Sequence, residues 1–490
     1  MSIKANSTST TKFPDLWPVP SAPPFLSSPT RIAGVTPEAT QKLRDLLKLN
    51  HENWHIFYDA VGRHDHMTHH LIALWSLGAD ANVLQAAYDL HVVLQVPVGG
   101  ENAESITKEN VFDHLGDRMY YKAYMDFFTE VVRERGPVAT IEEYVFSDKA
   151  NFESTNKDGK HPEMLNRFHG GLLHAIIHVG YGVEFGIPGM VVEGLAQTAV
   201  NEASNAAMIP PSLFVQPDTV NGASSPAKNN LHAFTVLGRV LKDERFEIKF
   251  EDFRSAFIQI IIKCGSACAN YATDWLPDMH PSPELMQQKI QELEWAATVM
   301  SVVPGFEEGK EYNADFVGMH LVTSSVFMGS LVPSLEPRSQ ALLLRAYFAV
   351  LIAVWTLLGR PQLDFESFFA TSPAFEGPHH VPAPTKFALA PSTNPNPWLD
   401  IIHQALVHPD DHVSKFQRAM HHYALKYGSV HAGQFANTEL SGADKIDGTL
   451  FVKGAMLTAQ RVAQEVDELP DQMSFWDRRT YRREVIENVY

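Results

Sequence analysis

The chain has 490 residues, of which 45% are hydrophobic, and a formal net charge of −18 at pH 7. This length and apolar fraction are sufficient for one large or two to three ordinary domains, each with a hydrophobic core. The acidic balance, without any block of Lys and Arg, makes nucleic acid and anionic membrane surfaces poor partners. We therefore expect a soluble globular protein.

The cysteines, the N-terminal residues and the most apolar run are also typical of a soluble globular protein. Cys264 and Cys268 lie four residues apart in an apolar run, which is typical of small buried side chains. Residues 1–34 are rich in Pro, Ser and Thr and lack the apolar run of a secretory signal, so we predict an extended arm. The most apolar run, residues 341–358, contains Arg345 and is shorter than the roughly 20 residues of a membrane span. We expect a cytoplasmic protein without a membrane span.

Helical periodicity dominates residues 35–490, the predicted catalytic domain. After Ser282 and Pro283, which are typical of a helix start, apolar residues recur at steps of three and four. Thr36 begins an earlier helix in the same way, and residues 413–427 form another. Runs with the alternation of β-strands are hard to find, so we predict an all-α fold in one large domain.

Two stretches break the helical pattern: residues 210–230 and residues 361–397, the second crowded with Pro, Phe and Ser. Loops of this length in a compact domain are usually functional covers or disordered links. The phenylalanines of the second stretch favour a lid.

Histidines are concentrated near the N-terminus, where six of the 23 fall within residues 51–70. In GRHDHMTHH, His66 and His70 have the i,i+4 spacing of one helix face, and His69 lies to one side. Upstream, the histidines of NHENWHIFYD have the same spacing at the end of a preceding helix. The link between the two helices is short, so their ends should lie close together.

A second histidine group lies in NRFHGGLLHAIIHVGYGVEFG. His174, His178 and Tyr181 follow the i, i+4, i+7 spacing of one helix face, and His169 lies one turn earlier. Each of the two adjacent glycines in this predicted helix is unfavourable by about 1 kcal/mol relative to alanine, which indicates close approach of a ligand or another backbone.

Buried histidines are not by themselves evidence of catalysis. His320 lies alone in another apolar helix, and a single buried histidine is more often a hydrogen-bonded core residue. Several imidazoles in one apolar pocket repel each other when charged and persist only with partners or desolvation. Function is therefore the better interpretation of the two groups.

The sequence also bears on cofactors. HDHMTHH and HAIIH together supply enough imidazoles for a metal site, but the HExxH pattern and repeated Glu-x-x-His pairs are missing. The nearest glycine pattern, Gly180, Gly182 and Gly186, follows a helix and has the wrong last spacing for a dinucleotide site. We expect no bound flavin, nicotinamide or metal.

The block NHENWHIFYDAVGRHDHMTHHLIALWSLGA resembles the questin oxidase-like family, fungal proteins of aromatic polyketide pathways. The likeness continues through RFHGGLLHAIIHVGYGVEF, ADFVGMHLVTSSVF and NPWLDIIHQALVHPDDHVSKFQRAM to Tyr427, and thus covers most of the chain after the arm. One departure is Asp65, where the family block favours asparagine between two histidines.

The resemblance implies a Baeyer–Villiger-type oxygenase that opens the central ring of an anthraquinone or related polycycle with O2, without flavin or metal. A deprotonated hydroquinone can itself reduce oxygen, so the substrate serves as its own cofactor. The protein would supply a base, hydrogen-bonding or cationic groups, and a dry aromatic-lined cavity. NADPH would be needed only by a separate reductase that makes the hydroquinone.

This hypothesis assigns a role to each candidate residue. Proton handling suits histidine, whose ordinary pKa lies nearest to neutrality. The predicted catalytic residues are His66, His70, His174, His178 and His320, with Arg63 and Arg167 as oxyanion stabilisers. The predicted substrate-binding residues are Trp54, Tyr181 and Phe316 as stacking groups, and His51, His55, His69 and His169.

Two alternatives stay open. A metal-dependent oxygenase or hydrolase would use the same histidines as ligands and would lose activity when Fe, Mn or Zn is removed. A non-catalytic helical module would bind an apolar ligand, tolerate histidine-to-glutamine changes and turn over no substrate. The sequence is compatible with a homo-oligomer.

Overall fold

The computed structural model describes residues 15–59, 62–99, 103–216, 230–248, 253–373, 396–464 and 475–478. These ranges are all-α, as predicted, with isolated β-bridges but no strand among them. In chain order the α-helices are α1 (Pro37–Asn53), α2 (Met67–Ser76), α3 (Ala81–His91), α4 (Tyr121–Arg135), α5 (Pro137–Ile141), α6 (Met164–Phe168), α7 (His174–Phe185), α8 (Pro188–Val200), α9 (Ala233–Lys242), α10 (Phe253–Trp275), α11 (Pro283–Val302), α12 (Phe316–Ser325), α13 (Met328–Ser334), α14 (Pro337–Leu357), α15 (Phe365–Ala370), α16 (Pro397–Val407), α17 (Asp411–Tyr427) and α18 (Thr449–Val462).

Local signals fix the helix starts near their predicted positions. The side chains of Thr36 and Ser282 cap α1 and α11, each followed by proline at the first helical position. α17 begins at Asp411, two residues earlier than predicted, because the side chain of Asp410 accepts a hydrogen bond from a backbone N–H of the first turn.

The apolar run that contains Arg345 forms α14, which packs against α10 and α11. By length and composition α14 is long and apolar enough to span a membrane, and the bent pair α12 and α13 would count as a second span. The most apolar stretch of α14 is 94% buried inside the protein, as in a core helix. The Arg345 guanidinium donates to the carbonyl oxygens of Leu213, Leu276 and Pro277, so burial leaves its polar atoms paired.

Four helices position the histidines. α2 packs against α7 and α17, and α12 packs against the same two helices. α8 packs along α7. Residues far apart in the sequence therefore meet between α2, α7, α12 and α17.

The predicted continuous helix around His174 is wrong. α6 ends at Phe168, and α7 begins at His174 after a short 3-10 segment. Leu172 and Leu173 have φ values of +53° and +67°, which L-residues adopt at a cost of about 1–3 kcal/mol each. The break sets the direction in which α7 enters the core.

The predicted long loops lie largely outside the described residues. Of the first loop the structure describes residues 210–216 and 230, and of the second residues 361–373 and 396–397. The second contains helix α15, so the prediction of a loop is wrong for residues 365–370, where Asp364 caps the helix start. The predicted lid therefore stays a prediction. In the arm, residues 15–34 contain no helix, and Trp17 is buried.

Candidate active site

Five imidazole rings meet between the four helices. We call His64, His66, His174, His320 and His412 the histidine cluster. The His174 ring stacks on the rings of His64 and His66, with centroid distances of 4.3 Å and 4.7 Å. The ring of His320 lies 5.1 Å from that of His174, and the ring of His412 lies 4.6 Å from that of His66. The two sequence groups thus form one site, to which α12 and α17 each add a ring.

Asp65 anchors the first histidines. Its carboxylate accepts hydrogen bonds from the backbone N–H of Met67 at 2.8 Å and from the side chain of Asn50 at 2.9 Å. Burial raises the pKa of Asp65 to about 6, although these bonds favour the carboxylate. Asp65 therefore joins the start of α2 to α1 and holds His64 and His66 on either side of it.

The adjacent glycines make room for a ring. Gly171 has φ +55°, and a Cβ there would lie 2.6 Å from Cε1 of His64. A Cβ at Gly170 would lie 3.1 Å from the carbonyl oxygens of Arg167 and Glu202. The close approach predicted from this pair is therefore present, and it involves both a histidine ring and neighbouring backbone.

A hydrogen-bonded line crosses the cluster. His174 Nδ1 lies 2.5 Å from the Gly171 carbonyl oxygen, the Nε2 atoms of His174 and His66 lie 2.6 Å apart, and His66 Nδ1 lies 3.1 Å from Asp411 Oδ2. Carbonyl and carboxylate oxygens accept only, so the three bonds need three protons. Two neutral imidazoles supply only two, so the third bond needs one more proton, which would make one of the two rings cationic. Burial opposes this positive charge and lowers the pKa of His66 to about 3.

His412 is the cationic member of the cluster. Its Nδ1 lies 2.5 Å from Asp411 Oδ1 and 3.1 Å from Asp410 Oδ1. Burial disfavours the charged ring, but the attraction of Asp411 and Asp410 outweighs it and raises the pKa of His412. Lys415 Nζ lies 3.8 Å from Asp411 Oδ1, and the positive groups around Asp411 hold the pKa of its carboxyl well below its usual range despite burial.

Three buried nitrogens of the cluster have no hydrogen-bond partner among the described residues: Nε2 of His64, Nε2 of His320 and Nε2 of His412. His320 Nδ1 donates to the Phe316 carbonyl oxygen at 2.8 Å, so Nε2 of the neutral ring is an acceptor. The Phe316 ring lies 4.9 Å from that of His320 and 5.1 Å from that of His412. An acceptor, a charged donor and an aromatic ring thus lie side by side.

A second hydrogen-bonded line lies beside the cluster. We call His69, His178, Glu193 and His51 the Glu193 chain. His69 Nε2 lies 2.9 Å from His178 Nδ1, His178 Nε2 lies 2.6 Å from Glu193 Oε2, and Glu193 Oε1 lies 2.7 Å from His51 Nδ1. Burial would raise the pKa of Glu193, but the two histidine hydrogen bonds outweigh it and lower the pKa to about 2. Tyr181 packs beside this chain, 5.6 Å from the His69 ring.

The structure does not bring the two predicted arginines into this hydrogen-bond network. Arg63 pairs with Asp59 at 2.5 Å, and its side chain is 38% exposed. Arg167 donates to the carbonyl oxygens of Pro162 and Asn201 at 2.8 Å and 2.5 Å. The Arg167 guanidinium is therefore occupied by backbone carbonyls, and it connects α6 to the end of α8.

Several predicted substrate-binding residues have local partners. The Trp54 indole donates to Tyr88 at 3.0 Å. His55 Nε2 bonds the Arg118 carbonyl oxygen at 3.1 Å, and His169 Nδ1 bonds the Leu165 carbonyl oxygen at 2.9 Å. Because α1 ends at Asn53, His51 and His55 do not share a helix face, which corrects that prediction.

His70 lies on α2 away from the rings that bind each other. Its ring is 5.2 Å from that of His91, and neither of its nitrogens has a hydrogen-bond partner in the described part of the chain. Burial holds the pKa of His70 well below its usual value, so the ring is neutral.

Sequence reasoning missed His64, which is buried rather than a solvated loop residue, and it missed Asp411, His412, Lys415 and Glu193. The segment HPDDHVSKF carried a signal, because Asp411 and Lys415 have i,i+4 spacing at the start of an amphipathic helix. Glu193 is the one charged residue in the apolar helix PGMVVEGLAQTAV. A carboxylate in such a helix needs a buried partner.

A metal ion would find three ligand atoms here. Nitrogens of His66 and His412 and an oxygen of Asp411 all lie within 4.8 Å of one another. Lys415 opposes this fit, because it already pairs with Asp411. His174 would not be a further ligand beside His66, because two imidazoles on one tetrahedral ion, bound at about 2.05 Å, keep their nitrogens about 3.3 Å apart. The Nε2 atoms of His66 and His174 lie only 2.6 Å apart, which fits a shared proton better.

Comparison with known proteins places this site in a family. The model of the questin oxidase-like family matches residues 63–420. The chain is 25% identical to a Baeyer–Villiger monooxygenase of Cryptosporiopsis sp., over 87% of this chain and 90% of that protein. It is 25% identical to a questin oxidase of Aspergillus fumigatus, over 86% and 88%, and 27% identical to a Baeyer–Villiger oxidase of Emericella nidulans, over 88% and 89%.

The matched segment contains every residue of the histidine cluster together with Asp411, Lys415 and Glu193. The relatives are oxidases and monooxygenases, so the non-catalytic alternative is set aside. The chain belongs to the questin oxidase-like family and is an oxidoreductase.

Proposed function

We propose that the protein performs a Baeyer–Villiger-type oxidation that opens the central ring of an anthraquinone. The substrate enters as its hydroquinone, O2 is the co-substrate, and no flavin or metal is bound. The observation that carries the proposal is that an acceptor nitrogen on His320 and a charged donor on His412 lie side by side in one buried cluster. The names of the relatives support the reaction class.

The hydroquinone supplies both electrons. Its deprotonated form passes one electron to O2, and the radical pair recombines to form the carbon–oxygen bond of a peroxide. The carbon that binds oxygen then carries both a hydroxyl and a hydroperoxide, which is the tetrahedral intermediate of a Baeyer–Villiger reaction. An aryl carbon migrates from it to the inner peroxide oxygen as the oxygen–oxygen bond breaks, giving a lactone. The other oxygen atom leaves as water with the two hydroquinone hydrogens, so the reaction balances. Hydrolysis of the lactone would give a benzophenone acid.

The cluster suits the charges that develop in this reaction. His412 Nε2 donates to the phenolate or peroxide oxygen, and Lys415 adds positive charge nearby. Such interactions are stronger in a buried site than in water. His320 Nε2 accepts a hydrogen bond from a substrate hydroxyl, and Phe316 stacks on the polycycle. His412 thus takes the oxyanion role predicted for Arg63 and Arg167.

The hydroquinone requires a source. An anthraquinone becomes a hydroquinone by two-electron reduction, and the chain has no dinucleotide fingerprint for that step. We assign the reduction to a separate NADPH-dependent reductase.

Labelled oxygen tests the proposal. Chelator-treated, metal-assayed protein is mixed with chemically reduced anthrahydroquinone under oxygen-18 gas, and the product mass is compared with a reaction without protein. We expect a lactone or ring-opened acid that carries one labelled oxygen atom from the gas. Formation of unlabelled anthraquinone alone, at the rate of the protein-free reaction, would overturn the proposal.

A metal-dependent oxygenase is the second candidate, and the three converging atoms of His66, Asp411 and His412 favour it. It predicts stoichiometric Fe, Mn or Zn in the purified protein. Product formation would then stop on chelation and return on adding one of these metals. The same labelled-oxygen assay, run before and after chelation, separates the two candidates.

A further inference from the structure

We propose that His69 is the base of this reaction, taking the hydroquinone proton at Nδ1 while His178 and Glu193 accommodate the resulting charge. The inference rests on the proposed function and names the group that accepts the proton. His69 would be the catalytic residue, and His178 and Glu193 would be positioning residues.

Hydrogen-bond directions in the Glu193 chain leave one acceptor free. The Glu193 carboxylate only accepts, so His178 Nε2 carries a hydrogen. In the neutral His178 ring Nδ1 is then an acceptor, and it accepts a hydrogen bond from His69 Nε2–H. The neutral His69 ring is left with a lone pair on Nδ1. Neutral imidazole rings account for all of these hydrogen bonds without an additional proton.

That lone pair has no partner among the described residues. His69 is 1% exposed, and its Nδ1 makes no hydrogen bond. A buried polar atom without a partner is unfavourable by about 1–3 kcal/mol, and native proteins rarely leave one unexplained. An acceptor in this state is complementary to a hydroxyl group, which a hydroquinone supplies. The ring lies 6.0 Å from that of His66, at the edge of the histidine cluster.

The Glu193 chain holds an extra proton without any ring moving. When Nδ1 of His69 takes a proton, the hydrogen on its Nε2 passes across 2.9 Å to His178 Nδ1. His178 is then an imidazolium 2.6 Å from the Glu193 carboxylate. The same hydrogen bonds persist in both states, and the positive charge ends beside a buried negative one.

His320 is the rival acceptor, and its surroundings are less suitable. Behind it lies the Phe316 carbonyl, which accepts a hydrogen bond but has no negative charge. Burial, together with the positive charges of His412 and Lys415, holds the pKa of His320 well below its usual value. A proton on His320 would stay among like charges, so we expect His320 to orient the substrate.

Burial holds the pKa of His69 well below its usual value, as it does for His320, so the resting ring is neutral and keeps its lone pair. Lys415 lowers the pKa further, and Asp411 raises it. His69 differs from His320 because the proton it takes can be passed on to His178, beside the Glu193 carboxylate. Since both hydroquinone hydrogens end in water, the Glu193 chain has only to store a proton and return it.

Anaerobic absorbance spectroscopy tests the assignment. Anthrahydroquinone is mixed with the protein under argon at neutral pH, and its ionisation is followed by the absorbance of the hydroquinone anion. Oxygen is then admitted and the lactone is measured. The variants are His69→Gln, Glu193→Gln and Glu193→Asp. Glu294→Gln serves as the control, because Glu294 is also a buried carboxylate but pairs with Lys426.

We expect the wild type and Glu294→Gln to ionise the bound hydroquinone. His69→Gln and Glu193→Gln should lose this signal and lower kcat by about 10²-fold or more, with little change in KM. Glu193→Asp keeps the carboxylate and should recover part of the loss. Thermal unfolding identifies any variant that does not fold, and His69→Gln leaves Glu193 in place if the other variant fails.

The outcomes separate the two proposals. If the wild type ionises the hydroquinone but forms no lactone, the proposed reaction is wrong and the assignment of His69 as proton acceptor is kept. If the lactone forms and both glutamine variants ionise and turn over like the wild type, the acceptor is wrong and the reaction stands. Absence of both signals in the wild type overturns both.

Discussion

The Nε2 atoms of His66 and His174, which are 108 residues apart in the sequence, lie 2.6 Å apart at the centre of the histidine cluster. The stacked rings are also tied to Asp411 on one side and to the Gly171 carbonyl on the other. Each ring therefore holds the other in one orientation.

Removing either ring should slow turnover. We expect His66→Ala and His174→Ala each to lower kcat by about 10²-fold or more, because each ring holds the other and a small displacement of a site costs about that much. Turnover of labelled lactone measures the effect, and the exposed His280→Ala provides the control. Near-normal turnover in both variants would contradict a role for this pair.

Neutralising His412 should remove the charged donor. His412→Gln keeps a polar side chain without the charge, so we expect kcat/KM to fall by about 10²–10³-fold, as on losing an oxyanion donor. Asp411→Asn should act in the same direction, because Asp411 favours the charged ring. His421→Gln, on the same helix, should keep normal kinetics. Equal values of kcat/KM for His412→Gln and His421→Gln would exclude the assignment.

Gly171 should not tolerate a side chain. Its Cβ would lie 2.6 Å from the His64 ring at φ +55°, whereas at Gly159, with φ +74°, nothing lies within 4 Å of the added atom. Both Gly→Ala variants bear the strain of positive φ, about 1–3 kcal/mol, and Gly171→Ala also displaces His64. Urea unfolding and activity should show the larger loss for Gly171→Ala. Equal losses would mean that the His64 contact contributes nothing.

Buried neutral histidines should make stability depend on pH. Burial lowers the pKa of His422 to about 3 and that of His169 to about 4. Between pH 6.5 and these values the unfolded chain binds protons that the folded chain does not. Stability therefore falls as pH falls through this window, by about 1.4 kcal/mol per pH unit for each such histidine.

Urea unfolding between pH 7 and pH 5 measures this slope. His422→Gln removes one of these groups and should flatten the slope by up to about 1.4 kcal/mol per pH unit. A slope unchanged by His422→Gln would show that His422 is already charged in the folded protein.

The helical fold could be predicted from the sequence, because caps, proline positions and the period of apolar residues are local properties. Thr36 and Ser282 begin α1 and α11 as their side-chain chemistry requires. The density of histidines also showed that His66, His69, His174 and His178 belong to something other than an ordinary core. The unusual pair of glycines showed that something approaches closely at Gly171.

Which residues meet could not be predicted from the sequence, because it depends on how the helices pack. Helix periodicity shows which face is apolar but not which helix packs on it, so Asp411 and His412 of α17 could not be assigned to His66 beforehand. The break before His174 depends on positive φ values at two leucines, which local propensity disfavours and the packing around Gly171 imposes. The charge of each ring follows in turn from distances across the core, since a carboxylate 2.5 Å away favours the charged His412 while burial keeps His320 neutral.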